Sequence, residues 1–287
     1  MAIYELTPPG DLRTPILVVS FEGWVNAGQA GTATTDHIAG DGEVVARFDP
    51  DALFDYRVNR PTVDFVEGVL RRVEFPAVTM RHAALEERDA LVLSGTEPNW
   101  RWREFAAAVA DLAASLGVVE QISVGGIPSA VPHTRPTTVL STASRADLIR
   151  NTERLPPGLL RVPGAAVTIV EHAVAAKNIP TVGFWAQVPH YLATIYQPAV
   201  IALVEEVARH AGVTIPLGSL LDESAEQLRR MDDIISGNAE AEAMVRRMET
   251  LVDAQDRVPS GEDLAAEIER YLRDTGDDGE GPPFGRG

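Results

Sequence analysis

The sequence predicts an α/β protein with a mostly parallel sheet flanked by helices, followed by a C-terminal all-helical extension. Short apolar runs rich in β-branched residues alternate with helix-like segments up to residue 218, a pattern typical of parallel sheets. From residue 219 onward the strand pattern stops and amphipathic segments replace it. The last residues, from Gly276, are rich in glycine, proline and acidic side chains. We therefore expect a main domain over 1–218, an acidic helical extension over 219–275 and a disordered tail over 276–287.

In the first half of the chain, the elements follow from apolar runs and the residues that bound them. Ile16–Phe21 lies between Pro15 and Gly23 and predicts a buried strand. Asn26 can cap a following helix. Further strands are predicted over 42–48, 69–75, 78–85 and 90–94, and the second and third of these are predicted to pair as a hairpin. The intervening segment 51–61 predicts a loop, and 102–116 predicts a helix from its apolar spacing.

The second half continues the alternation and then becomes helical. Strands are predicted over 118–124, ending at Gly125-Gly126, and over 139–143 and 180–186. Helices are predicted between and after them, over 165–176 and 201–211. In the extension, three amphipathic helices are predicted over 220–235, 239–252 and 263–272.

The charge balance restricts the partners of this 287-residue chain. Its 42 acidic residues outnumber the 25 lysines and arginines, and the formal net charge is -17 at pH 7. Because such a chain repels a phosphate backbone, nucleic acid is not expected as a partner. Residues 222–280 hold 18 acidic side chains against 7 arginines and so contribute -11 of this charge.

Composition also restricts the chemistry. The chain has no cysteine, which excludes disulfides, thiolate metal sites and cysteine nucleophiles and suits a reducing cytoplasm. No apolar stretch approaches the roughly 20 residues of a membrane span, and the first residues do not resemble an export signal. We expect a cytoplasmic protein without a membrane partner. Lys177 is the one lysine, so any lysine-dependent chemistry would have to use it.

The segment Gly23–Ala30 follows a predicted strand and opens a helix, where backbone N–H groups can hold an anion. A phosphate-binding loop needs lysine and then serine or threonine after its second glycine, and Gln29 and Ala30 stand there instead. The favoured interpretation is that Gly28 and Gly31 let the helix lie close to the sheet. A weak anion site without hydrolysis stays open as the alternative.

Polar side chains that follow the predicted strands form the candidate ligand site, because ligands of open α/β sheets bind at the carboxyl ends of strands. They are Glu22, Asn26, Thr96, Glu97, His133, Arg135, His190 and Tyr191. If they converged, these carboxylates, imidazoles and the guanidinium would suffice for acid and base chemistry. The alternative is that they are ordinary solvated loop residues, and we assign no catalytic residue. No histidine pair has metal-binding helix spacing, so neither a metal nor another cofactor is expected.

Three sequence phrases carry a family resemblance. They are Phe21-Glu22-Gly23-Trp24-x-Asn26-Ala27-Gly28, Leu93-Ser94-Gly95-Thr96-Glu97-Pro98 and Val188-Pro189-His190-Tyr191. Together they resemble the bacterial branch of the proteasome assembly chaperone family, the PAC2-like proteins. The resemblance implies a nucleoside-phosphorylase-like fold and a protein partner, with proteasome subunits as candidates, and it implies no reaction. Some assembly chaperones dock through a C-terminal hydrophobic–tyrosine–X ending, whereas this chain ends Phe284-Gly285-Arg286-Gly287.

The leading hypothesis is a homo-oligomeric protein-binding or assembly protein. One alternative is a phosphorylase- or hydrolase-like enzyme that uses Glu22, His133, Arg135 and His190 on a nucleoside-like or phosphorylated small molecule. A weaker alternative is an ATP-dependent carboxylate-amine ligase, in which Lys177 would supply the lysine for phosphate binding.

Overall fold

The structure is a computed structural model that describes residues 3–149 and 158–255. Its strands are β1 (Tyr4–Leu6), β2 (Ile16–Val19), β3 (Glu43–Phe48), β4 (Thr62–Val66), β5 (Val69–Glu74), β6 (Val78–Ala84), β7 (Asp89–Gly95), β8 (Glu120–Ser129), β9 (Val139–Ala143) and β10 (Thr181–Pro189). Its α-helices are α1 (Ala30–Ala39), α2 (Pro50–Leu53), α3 (Trp102–Ser115), α4 (Ala166–Ala175), α5 (Gln197–Ala211), α6 (Leu220–Ser236) and α7 (Ala239–Gln255).

Eight of the strands form one sheet in the order β1-β3-β6-β7-β2-β8-β10-β9. The four central strands β7, β2, β8 and β10 are parallel neighbours. The other four join at the two edges in antiparallel pairs, so the complete sheet is mixed. A short turn such as the one from β6 to β7 can join only antiparallel strands. The predicted α/β class with flanking helices is confirmed, and its parallel part is the centre of the sheet.

The core lies on both faces of this sheet. Leu17 and Val19 of β2 belong to the apolar cluster that contains the buried faces of α3 and α4. Ile16 and Val18 of the same strand belong to the cluster with α1 and α5. Because both of its faces are covered, β2 is apolar at every position, which is why the strand could be predicted.

Strand β8 continues to Ser129, past the glycine pair where the sequence predicted its end. The loop before α1 passes directly over this part of the strand. A Cβ atom at Gly126 would clash with the Ala27 carbonyl oxygen, and one at Gly125 would lie 2.5 Å from the Val25 carbonyl oxygen. The two glycines therefore admit a close backbone and do not end the strand.

The predicted pairing of 69–75 with 78–85 is wrong. Strand β5 pairs with β4 in a separate two-stranded sheet, while β6 lies between β3 and β7 in the main sheet. The turn between β4 and β5 has Glu67 at φ 50° and Gly68 at φ 80°, as a two-residue hairpin turn requires. The predicted loop 51–61 contains the end of the short helix α2.

Two of the three predicted C-terminal helices are observed as α6 and α7. Leu220 and Met231 of α6 are buried, Met231 in the cluster that contains α5. Val245 and Met248 of α7 are buried as well. The predicted helix 263–272 and tail 276–287 lie outside the described residues, and the boundary at residue 219 stays a prediction. In the described ranges, the structure has no helix that is both long and apolar enough to cross a lipid bilayer.

Candidate functional site

The eight predicted site residues lie in two groups at the carboxyl ends of the central strands. The first group follows β2 and β7 and contains Glu22, Asn26, Thr96 and Glu97. The second follows β8 and β10 and contains His133, Arg135, His190 and Tyr191. In each group the partners of these side chains show what the polar atoms do.

In the first group the carboxylates bind neighbouring loops and a helix end. Thr96 Oγ1 donates to Glu22 Oε2 at 3.0 Å, and the Glu97 backbone N–H donates to the Glu22 carbonyl oxygen at 2.9 Å. Glu97 Oε1 accepts from the backbone N–H of Ala166 at 2.7 Å, at the first turn of α4. The preceding residue of that helix is an alanine without a side-chain acceptor, so Glu97 supplies the cap. A Cβ atom at Gly23 would lie 2.6 Å from Glu97 Oε2, so glycine leaves room for this carboxylate.

Asn26 occupies the backbone donors that an anion would need at the start of α1. Its Oδ1 accepts from the N–H groups of Gly31 at 3.0 Å and Thr32 at 3.1 Å, and its Nδ2 donates to Thr32 Oγ1 at 2.9 Å. A Cβ atom at Gly31 would clash with Ser20 Oγ and would lie 2.7 Å from the Val124 carbonyl oxygen. These contacts favour the close-packing interpretation of the glycines over an anion site.

In the second group, His133 joins the end of β10 to the C-terminal helices. The buried His133 ring has Nδ1 2.8 Å from Tyr191 Oη and Nε2 3.1 Å from Asp232 Oδ1 on α6. The His133 backbone N–H also donates to Tyr191 Oη at 3.0 Å. Burial raises the pKa of Tyr191, so its phenol stays protonated. Both ring nitrogens of His133 therefore have hydrogen-bond partners, one on the loop after β10 and one on α6.

Arg135 holds α7 by a bidentate ion pair. Its Nε donates to Asp253 Oδ1 at 2.7 Å and its Nη2 to Asp253 Oδ2 at 2.8 Å, while Nη1 donates to Glu249 Oε1 at 3.1 Å. Thr134 Oγ1 also donates to Glu249 at 2.5 Å. The hydrogen bond to Asp253 raises the pKa of the Arg135 guanidinium further. Arg135 thus recognises two carboxylates on one face of α7.

His190 is separate from this network. Its side chain is exposed, and its Nδ1 lies 3.2 Å from the Ser129 carbonyl oxygen. A groove of about 660 Å³ lies between the loop 133–137, α5 and α6. His133 and Arg135 line it together with Ile201, Glu205 and Asp232, and His190 does not. The structure therefore does not combine the two histidines in one pocket.

Sequence reasoning missed the acidic partners Asp232, Glu249 and Asp253. The available signal was the excess of acid after residue 222 and the four-residue spacing of Glu249 and Asp253. It also missed Glu171, whose Oε1 is buried without a hydrogen-bond partner between α4 and the sheet. Burial raises the pKa of Glu171 to about 7.

Two further chemistries have little support in this geometry. Lys177 lies between the end of α4 and the start of β10, at the opposite edge of the sheet from the candidate site, and its Nζ is 2.6 Å from Asp111 Oδ1. It cannot serve a phosphate at the carboxyl ends of the strands. Within residues 3–149 and 158–255, no group of three histidine or acidic side chains could hold a metal ion.

Comparison with known proteins identifies relatives of this chain. A protein of unknown function from Mycobacterium tuberculosis is 34% identical, with a TM-score of 0.82 over 90% of this chain and 93% of its own. One of unknown function from Corynebacterium glutamicum is 27% identical, with a TM-score of 0.83 over 90% and 99%. A proteasome-assembly chaperone homologue from M. tuberculosis is 31% identical, with a TM-score of 0.74 over 80% and 99%. The search of curated proteins found no match. The model of the PAC2 family matches residues 20–235, which confirms the predicted resemblance. The chain belongs to the PAC2 family.

Proposed function

We propose that this chain is a self-associating cytoplasmic protein that binds other proteins and assists their assembly, with proteasome components as its partners. The observation that carries the proposal is the apolar surface exposed near the carboxyl ends of β2 and β7. Trp24, which follows β2, is 65% exposed, and Trp100, which follows β7, is 51% exposed. Large exposed aromatic side chains are typical anchors of protein interfaces.

The same edge carries a further apolar segment. Leu159, Leu160 and Val162, just before α4, are all exposed. The hydrogen bond from Ala166 to Glu97 brings the start of α4 to the loop after β7, which continues to Trp100. Several large apolar side chains exposed on neighbouring loops are typical of an interaction site. The polar residues beside them are bonded within the protein, so they are poorly placed to act on a small substrate.

The partner is proposed from similarity. One of the solved relatives, 31% identical to this chain, is a proteasome-assembly chaperone homologue. A chain with a formal net charge of -17 would bind a partner surface that carries basic residues around an apolar centre.

Reconstitution tests this proposal. Purified α- and β-type proteasome subunits of the same organism are mixed with and without this chain, and core particles are followed by native gel electrophoresis. We expect assembly to become several-fold faster, and we expect the paired change Trp24→Ser and Trp100→Ser to abolish the gain. The matched control changes Leu221→Ser and Ile234→Ser, which are exposed apolar residues of α6. An assembly rate unaffected by the parent chain, together with no measurable binding of the subunits, would refute the proposal.

The groove beside His133 and Arg135 keeps the enzyme alternative testable. A nucleoside, nucleotide or phosphate present at 100 times its dissociation constant would stabilise the folded chain by about 2.7 kcal/mol. Unchanged melting temperatures across such a panel would count against this alternative. A shift that disappears in His133→Ala, followed by turnover of the ligand, would favour it over the assembly function.

A further inference from the structure

The groove between the loop 133–137, α5 and α6 has an apolar floor and an open rim. Its volume of about 660 Å³ is within the range of pockets that bind ligands. The floor consists of half-buried apolar residues, which are Pro198, Ile201, Ala202 and Leu228. The rim consists of exposed residues, which are Thr134, Pro136, Glu205 and Asp232. Because the rim is open, side chains of another protein can enter the groove from solvent.

Ser224 of α6 provides a polar group in this groove. The residue lines the groove and is 7% exposed. Within residues 3–149 and 158–255, its hydroxyl has no hydrogen-bond partner. Buried polar groups of folded proteins are nearly always hydrogen-bonded. A hydroxyl can both donate and accept, so Ser224 can bind the backbone of a segment that lies in the groove.

The side chains around the groove are mainly acidic. Glu205 makes no ion pair or hydrogen bond with another residue of the described chain, and the side chain of Asp232 is 64% exposed. Arg135 also lines the groove, but it is bound to Glu249 and Asp253. These five side chains together carry one positive and four negative formal charges. Such a rim attracts a cationic group and repels a phosphate.

The charge of the rim also distinguishes between occupants of the groove. Residues 256–287 of this chain lie outside the described residues and contain 9 acidic residues against 4 arginines. A second copy of the chain would bring a formal net charge of -17. Both would meet like-charge repulsion at the rim, whereas a basic segment of a different protein would be attracted to it.

We infer that this groove binds a segment of a partner protein in which arginine or lysine lies beside a bulky apolar residue. The basic side chain pairs with Glu205 and Asp232. The apolar side chain packs between Ile201 and Leu228, and the Ser224 hydroxyl binds the backbone of the segment. An apolar centre within a polar rim is the usual arrangement of a protein interface. The inference rests on the proposed protein-binding function and adds a contact surface separate from the exposed tryptophans.

Fluorescence anisotropy of a labelled peptide tests the inference. The probe is a peptide of four Leu-Arg-Ala repeats, titrated with the full chain at an ionic strength of about 0.15 M. We expect saturable binding, with a dissociation constant at least about tenfold larger for the paired change Glu205→Gln and Asp232→Asn. The amide at position 232 keeps an oxygen near His133, so the fold should be retained.

Two controls separate the groove from general charge attraction. The matched pair Asp233→Asn and Glu240→Gln removes two exposed carboxylates from α6 and α7, and so changes the net charge of the chain by the same amount. Its dissociation constant should stay within about twofold of the parent value. A second peptide of four Ser-Arg-Ala repeats keeps the basic charge without the bulky apolar side chains. It should bind the parent at least about tenfold more weakly.

The outcomes separate this inference from the proposed function. An absence of saturable binding, or equal weakening by both pairs of substitutions, would refute the groove as a binding site. Faster amide hydrogen exchange in residues 256–287 on addition of the peptide would identify that segment as the occupant instead. A smaller mass of the Glu205 and Asp232 variant in analytical ultracentrifugation would identify a second copy. Peptide binding that depends on the groove, with no binding of proteasome subunits to the parent, would support the groove and refute the proteasome partner.

Discussion

Two regions of the molecule use their side chains in opposite ways. One is the loop after β8, which lies against the C-terminal helices, and the other is the β4–β5 hairpin. In the loop, His133 and Arg135 are bound to carboxylates of α6 and α7. On the hairpin, apolar side chains have no partner within the described chain that covers them. Polar residues in a cleft are usually taken as a sign of chemistry, but here most of them hold the protein together. The hairpin instead exposes apolar side chains.

The largest expected effect on stability comes from disturbing the packing of α1 against the sheet. Gly31→Ala should lower the free energy of unfolding by about 3 kcal/mol, because the added methyl group meets well-packed atoms of β8 and Ser20. Urea denaturation measures this. Gly10→Ala is the control, since a Cβ atom there has nothing within 4 Å. Equal stability of the two variants would show that α1 can move away from the sheet without cost.

Variants of Glu171 test the cost of a buried charge between α4 and the sheet. Burial raises its pKa from 4.5 to about 7 in the folded chain. Between pH 4.5 and about pH 7, the folded state therefore keeps a proton that the unfolded state has lost. Its contribution to stability is therefore full below about pH 4.5, falls as the pH rises to about 7 and is constant above. Glu171→Gln should be more stable than the parent at pH 8, by at most about 3 kcal/mol, and the difference should shrink at pH 5. A pH-independent difference in urea denaturation would contradict this.

Variants of Glu97 distinguish a structural role of this carboxylate from a ligand-binding role. Glu97→Ala should lower stability by about 1 kcal/mol through loss of the cap on α4. Glu97→Gln keeps a side-chain oxygen that can accept from Ala166 and should recover most of the loss in thermal unfolding. If the glutamine variant were as unstable as the alanine variant, the negative charge would matter more than the cap.

The smallest effect should be local to α7. Arg135→Ala removes the bidentate pair with Asp253 and the bond to Glu249, so amide hydrogen exchange in α7 should become about tenfold faster. The midpoint of global unfolding should change little. Arg145→Ala is the matched control, because the Arg145–Asp147 pair is more than half exposed at both side chains. Similar exchange in both variants would show that α7 is held by its apolar residues alone.

The sequence predicted the elements better than their partners. Strand β2 was predictable because both of its faces are buried, which leaves an uninterrupted apolar run. The pairing of β5 was mispredicted because β4 and β6 both flank it in the chain and both have strand-like composition. The end of β8 was predicted too early because a glycine pair signals a turn unless another backbone passes over it, as the loop before α1 does.

The same limit applied to the candidate site. The eight residues were selected because polar groups follow apolar strands, and the structure places all eight at strand ends. Their hydrogen-bond partners could not be predicted, because His133 bonds a residue 99 positions away and Arg135 bonds one 118 positions away. The function class came from the family resemblance and not from these side chains.

The sequence by itself determined the α/β class, the buried central strands, the acidic charge and the absence of cysteine chemistry. These properties are local, since burial from water fixes the apolar period of each strand and helix and composition fixes the charge. Only the tertiary structure decided that carboxylates of α6 and α7 bind His133 and Arg135 and that the hairpin stays exposed. Both outcomes depend on which segments, distant in sequence, meet in the folded chain. Local sequence patterns do not encode such contacts.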